Sequence, residues 1–383
     1  MAIHFSREEL RCRRERTCET LNARGLHALL IFRQESSYYL TGFDTFGYCF
    51  FQCLYLGADG TVTLVTRAPE LRQAQHTSDI EDIRIWRDQS GADPAEQLVA
   101  VLDEHGCRDR VVGIEFDAYG LTAHNWRRLE PVLNEFCRYE DASDIVSKQR
   151  VIKSPAEIEY VRKAAALADD ALEAGLDSIH PGAWEGDILA AMQGSIFKGD
   201  GDYPGNEFII GAGRDALLCR YFSGRKHLQP NDQITLEWAG VYRRYHAAMM
   251  RSVLVGVVTP EHRKMHATTL EAMAACEAEL RPGEPIGKVF DAHARVADAN
   301  GFREHRLNAC GYSLGTTFTP TWMDWPMLYT GNPVIAEPDM VFFLHMILVN
   351  SDNGRAMTLG HTVRVTDTGC ERLSRSPLDL LHV

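Results

Sequence analysis

Positive charge is in short supply: 40 lysines and arginines stand against 53 aspartates and glutamates, a formal net charge of −13. A surface of that sign repels phosphate backbones and anionic lipid, so neither a nucleic acid nor a membrane surface is an expected partner. Long apolar runs are missing too. Nothing approaches the roughly 18 consecutive apolar residues of a membrane span. Charges interrupt Met1–Arg16, where an export signal needs an unbroken apolar stretch. The ten cysteines contain no Cys-x-x-Cys pair, and the spacings Cys12/Cys18 and Cys49/Cys53 fit neither a zinc ribbon nor a dithiol redox motif. Free thiols in a cytoplasmic protein are the expectation.

What remains is 45% hydrophobic and 24% charged, the composition of an ordinary folded protein, here long enough for two or three domains. The first 147 residues alternate helical and strand patterns. Ser6–Arg24 is a charged helix with apolar residues at helical spacing. His27–Phe32, Phe50–Leu56, Thr61–Val65 and Val111–Ile114 are short apolar or β-branched runs, and Pro94–Glu104 and Leu121–Phe136 are amphipathic. This predicts a self-contained α/β domain over residues 1–147.

Residues 148–383 open differently. In Ser154-Pro155-Ala156-Glu157 the serine can cap a helix, the proline fits its first position, and the glutamate closes a capping box. A pattern then recurs: a helix end at Pro181-Gly182 followed by a helix over Trp184–Phe197, and a helix end at Pro282-Gly283 followed by one over Ile286–Ala299. The two Pro-Gly turns are 101 positions apart. Strand-like runs follow each pair: Phe208–Ile210 and Ile234–Leu236 in the first case, Val341–Leu344 and Met346–Val349 in the second. A duplicated helix-helix-sheet unit predicts two halves related by a pseudo-two-fold axis, with a site between their sheets.

The strongest chemical signal is Glu237 in the middle of the apolar run Ile234–Ala239, because a buried carboxylate is costly unless paired or used. This segment and the Tyr242–His246 run after it resemble the strand pair of the pita-bread family, which includes aminopeptidase P, prolidase and creatinase. The Ser154 helix start, the Pro-Gly repeats, the Gly311-Tyr312-Ser313-Leu314-Gly315 turn, Glu337–Met340 and Arg364–Leu373 match in order, and Tyr39–Phe43 resembles the family's N-terminal domain. The resemblance implies an α+β pita-bread domain over 148–383 with a pseudo-two-fold duplication, preceded by a smaller α/β creatinase-type domain. It also implies a homodimer in which Tyr38–Phe43 reaches the neighbouring subunit's pocket.

Metallopeptidase members of that family hold two metal ions through two aspartates, a histidine and two glutamates. The resemblance puts these positions on Glu237, Ala248, Tyr312, His345 and Gly360, with a further family histidine at Arg220. Two of the five retain a metal-capable atom, so no metal and no other cofactor is expected. Gly201–Pro204, the Glu237-containing run and Pro320-Thr321-Trp322 are most similar to the metal-independent ectoine hydrolase-like and creatinase-like members. The implied function is hydrolysis of a non-peptide C–N bond in a small cationic or zwitterionic compound, a cyclic amidine or guanidino acid. A metal-dependent Xaa-Pro dipeptidase-like peptidase and a non-catalytic binding protein are the alternatives.

Under the hydrolase reading Glu237 is nucleophile or base, His345 a proton shuttle, and Tyr245 and Tyr312 hydrogen-bond donors to developing charge. Arg220, His246, Trp322, Trp325, His361 and Tyr203 are the candidate substrate-binding residues, Arg220 as a carboxylate clamp and the tryptophans as walls for a cationic ring. Each has a plain structural reading beside this. Glu237 could pair with Arg251 or Arg244, His345 could be a satisfied core histidine, and Tyr312 could fill space left by a lost histidine. Tyr245 and His246 fall on opposite strand faces, so one of them is structural.

Overall fold

The computed structural model describes residues 3–220 and 224–383. The chain divides into two compact units, Met1–Arg150 and Val151–Val383.

The first unit begins with α1 (Arg7–Arg24), which Ser6 caps through Oγ on Glu9 N at 3.1 Å and which Gly25 ends in the left-handed region. The remaining elements are β1 (Ala28–Ile31), α2 (Gln34–Thr41), β2 (Cys53–Gly57), β3 (Val62–Arg67), α3 (Glu70–Thr77), β4 (Asp82–Trp86), α4 (Pro94–Glu104), β5 (Val111–Ile114), α5 (Ala123–Asn134), β6 (Arg138–Asp141) and α6 (Asp144–Val151). Six strands form one mixed sheet in the order β4-β3-β2-β1-β5-β6. Its central strand β1 is apolar on both faces because both are covered: Leu30 packs with Leu98 and Leu102, Leu29 and Ile31 with Leu21 and Leu40. Tyr38–Phe43, expected to reach a neighbouring pocket, lies inside this core instead, with Tyr38, Tyr39, Leu40 and Phe43 fully buried.

In the second unit the Ser154 capping box forms as expected. Glu157 N donates to Ser154 Oγ at 3.3 Å and Ser154 N to Glu157 Oε2 at 2.9 Å, starting α7 (Pro155–Leu176). Then come α8 (Glu185–Lys198), β7 (Ile209–Ala212), β8 (Gln233–Tyr242) and β9 (Tyr245–Leu254). The series repeats as α9 (Pro260–Glu279), α10 (Gly287–Ala299), β10 (Gly311–Ser313), β11 (Asp324–Met327), β12 (Val341–Asn350) and β13 (Arg355–Val365). The repeat extends to backbone detail. Gly182 and Gly283 have φ of 87° and 86°, and their amides donate to Leu228 O at 2.7 Å and Ala336 O at 2.8 Å.

The expected pair of facing sheets is not what forms. The two halves join edge to edge through β13 and β9 into one nine-stranded sheet, whose main path runs β11-β10-β12-β13-β9-β8-β7. The two runs around His345 are likewise one continuous strand, β12. Helices cover one face. There Trp238 Nε1 donates to Ala168 O of α7 at 2.9 Å, and α7 comes so close that a Cβ on Gly240 would collide with Ala164 O. The other face is left to carry the site. Among the described residues no helix is long and apolar enough to cross a membrane, and the ten cysteines are unpaired.

Candidate active site

Strand register assembles the site. Glu237 pairs with Met250, Met250 with Gly360, and Gly360 with His345, so one row crosses β8, β9, β13 and β12 on the face away from the helices. Ala248 lies two residues along β9 on the same face. Tyr312 joins from β10, which pairs with Phe343 two residues before His345. The five positions singled out by the resemblance therefore share one patch of sheet.

Glu237 is nearly buried, and the Tyr312 hydroxyl lies close enough to favour its ionised form. Tyr312 Oη accepts from Trp322 Nε1 at 2.8 Å, which leaves its own proton to be donated elsewhere. Burial pushes the Glu237 pKa up to about 7, and the positive Arg220 and the Tyr312 hydroxyl offset only part of that. Arg220 sits at the exposed rim with its guanidinium 3.8 Å and 3.9 Å from Met323 Sδ. Arg251 and Arg244 do not neutralise Glu237. Arg251 points to the helix face, where Nη1 donates to Met250 O at 2.9 Å and Gly360 O at 2.5 Å. Arg244 lies over the Phe318 ring.

His345 packs against Tyr312 and Phe343 with ring centroids 5.6 Å and 5.4 Å away, and its buried Nδ1 has no hydrogen-bond partner among the described residues. Burial, with a smaller contribution from His293, lowers its pKa to about 3. A neutral imidazole is what this environment keeps at pH 7. The expected shuttle thus becomes a neutral hydrogen-bonding group, and Glu237 is the one of the pair that titrates near neutrality.

Two other expectations, Tyr245 and His361, are corrected, because both side chains turn to the helix face. Tyr245 faces α7 and donates to Glu157 Oε1 at 2.7 Å, away from Glu237. His246 shares the site's face but both ring nitrogens are committed, Nε2 accepting from Gly205 N at 2.9 Å and Nδ1 bonding Thr317 Oγ1 at 3.1 Å. It braces the segment before Asn206, which accepts from Trp322 N at 3.1 Å. His361 points to the helix face and bonds Glu277 Oε1 at 2.7 Å, because alternation along β13 turns it away from Gly360. Tyr203 is 73% exposed, its ring edge-on to Phe197. Trp325 is half-exposed on β11, whereas Trp322 is buried against Tyr312.

Three residues that the sequence reading missed shape the site. Cys219 lies close enough for the Glu237 charge, after burial, to push its thiol pKa up. Glu185, buried at the start of α8, accepts from Ala212 N at 2.9 Å and Lys226 N at 3.1 Å, bracing both ends of the segment that carries Cys219 and Arg220. Phe343 lays its ring over Gly360: a Cβ built there would lie 2.8 Å and 2.9 Å from ring carbons. A proline-free loop and a lone glycine give no sequence signal for such long-range pairings.

The family's two metal ions find no matching donor set. Among the described residues no three His, Cys, Asp or Glu side chains group closely enough to hold an ion. Ala248 and Gly360 supply no donor, and the Phe343 ring fills the space into which a carboxylate at 360 would project.

Comparison with known proteins places the chain. Residues 159–367 match the model of metallopeptidase family M24, and residues 13–152 that of the creatinase/prolidase N-terminal domain. An ectoine hydrolase from Halomonas elongata is 28% identical over 99% of this chain and 98% of its own length. A Xaa-Pro dipeptidase from Pyrococcus furiosus is 22% identical, covering 63% of this chain and 68% of its own. The crystal structure of an X-Pro aminopeptidase from Thermotoga maritima superposes with a TM-score of 0.85 at 20% identity, over 97% of this chain and 99% of that one. The chain belongs to metallopeptidase family M24, with a creatinase-type N-terminal domain ahead of a pita-bread domain.

Proposed function

We propose that the protein is a hydrolase that breaks a non-peptide C–N bond in a small cationic or zwitterionic nitrogen compound, an amidine or guanidino acid, without a metal ion. The observation that carries this is Glu237, a nearly buried carboxylate with a pKa of about 7 that shares one patch of sheet with Tyr312 and His345. Such a group is half ionised at neutral pH and can both take and return a proton. A cation bound beside it replaces the missing positive charge.

In the reaction we propose, Glu237 takes a proton from water as its oxygen bonds to the amidinium carbon, giving a tetrahedral carbon. The protonated Glu237 then gives that proton to the departing nitrogen as the C–N bond breaks, the electron pair leaving with nitrogen. The hydroxyl oxygen becomes a carbonyl, and its proton returns through Glu237 to the released amine, which departs as an ammonium. Tyr312, fixed by Trp322, steadies the ionised form of Glu237. The unpartnered Nδ1 of neutral His345 offers one hydrogen bond to the bound molecule. Arg220 at the rim suits the carboxylate of a zwitterion, which its planar fork can take bidentately.

The ectoine hydrolase relative, 28% identical along nearly the whole chain, supports this class. Homodimerisation and a cytoplasmic location belong to the proposal by resemblance to the family, and light scattering and fractionation test them. The reaction is tested by incubating chelator-dialysed protein with carboxylated cyclic amidines and guanidino acids and following products by mass spectrometry. Turnover that E237Q lacks is expected. Cleavage of a Xaa-Pro dipeptide only after manganese is restored would overturn the proposal.

A further inference from the structure

Phe343 is fully buried on the site's face of β12 and reaches diagonally across to β13. Its ring edge occupies the space of a position-360 side chain, with a Cβ there 2.8 Å from Cε2, 2.9 Å from Cζ and 3.0 Å from Leu344 O. A side chain at 360 therefore has to push the ring edge aside. The same ring meets Tyr312 at 5.5 Å and 63° and His345 at 5.4 Å and 49°, while Tyr312 and His345 meet each other at 5.6 Å and 54°. Three tilted rings in mutual contact form a closed triangle, an arrangement that edge-to-face packing favours and that interior packing density locks.

Tyr312 is the corner whose hydroxyl influences Glu237. Its position along the sheet is set by β10, and its hydroxyl is held from one side by Trp322. On the other side the Phe343 and His345 rings pack against it. Where metallopeptidase relatives close this end of the site with a carboxylate, this chain closes it with an aromatic ring.

We infer that Phe343 is a positioning residue: by filling the space over Gly360 it wedges Tyr312 and His345 into place and so holds the Tyr312 hydroxyl beside Glu237. The inference rests on the reading of Glu237 as the acid–base group. Phe343 itself contacts rings rather than substrate.

The test reads the Glu237 carboxyl directly, by 13C NMR titration of protein labelled at glutamate, the signal assigned by its loss in E237Q. F343L keeps an apolar side chain of similar bulk but no flat ring. If the ring holds Tyr312 beside the carboxylate, F343L raises the Glu237 midpoint by about one pH unit, roughly a tenfold change in proton affinity. Y312F raises it by the same amount, and the F343L/Y312F double variant raises it no further. G360A presses a methyl on the ring without removing it, shifts the midpoint the same way, and keeps the test intact if F343L fails to fold. A variant that merely loosens packing lowers thermal stability and leaves the midpoint in place. If F343L and G360A leave the midpoint at its wild-type value while Y312F moves it, Phe343 is filler and the inference is wrong, with the Glu237 reading intact. If Y312F also leaves it unmoved, the Glu237–Tyr312 reading falls and takes the inference with it.

Discussion

Replacing Glu237 with glutamine should leave stability unchanged in mild acid and raise it above neutrality. Gln has the same shape and keeps an acceptor for the Tyr312 hydroxyl, so the charge is the main thing removed. In the folded protein the carboxyl titrates at about 7, against 4.5 for an ordinary glutamate. Between those values the folded chain holds a proton that the unfolded chain has released, so stability falls as pH rises through that window. Each pH unit is worth about 1.4 kcal/mol, which makes the whole interval about 3 kcal/mol. At the usual slope for units of this size that is about 6–12 °C in melting temperature. Thermal melts of both proteins from pH 4.5 to 8.5 read the difference curve, in which other titrations cancel. A difference that starts near zero and climbs to a plateau above pH 7 supports the reasoning. A flat difference, or a glutamine variant that is the less stable at pH 8, would refute it. The same substitution should cut turnover by about 10²–10⁴-fold if Glu237 moves the proton.

Y245F should cost about 0.5–1.5 kcal/mol by removing the hydrogen bond to Glu157 Oε1, yet leave kcat unchanged, because that hydroxyl bonds α7; chemical unfolding and steady-state kinetics check the two halves. Burial holds His246 and His293 at about 4 and His345 at about 3, so the folded chain refuses protons that the unfolded chain takes up below the ordinary 6.5. Stability should therefore fall as pH drops from 6.5 toward 4, and H293Q should flatten that fall in thermal melts. E185Q turns one amide hydrogen toward the N–H of Ala212 or Lys226, costs about 1–3 kcal/mol, and should raise KM more than it lowers kcat, because the segment it loosens carries Arg220.

Much of the fold was legible because its signals are local. The Ser154 box, the two Pro-Gly turns and the apolar runs of β1, β5 and β8 each declare an element within a few residues, and each formed. Helix α2 went unseen because seven of its eight residues are buried, which erases the polar face that marks an amphipathic helix. Glu237 stood out as a lone charge in an apolar strand. Alternation also separated Tyr245 from His246, but a period of two does not say which face meets the helices. That choice depends on packing, such as Gly240 under α7, and so the sequence reading took residues from both faces. Phe343 was invisible for a related reason: its role depends on a gap at Gly360, seventeen residues away on another strand, and reads as core in any one-dimensional pattern.

The central claim is that side chains have replaced metal at this site, and titrating chelator-treated protein with manganese while following the free ion by electron paramagnetic resonance tests it most directly. The account predicts that stoichiometric manganese stays free and that C–N hydrolysis proceeds at the same rate with or without it. Disappearance of two ions per chain from the free signal, accompanied by a gain of activity that E237Q abolishes, would contradict it.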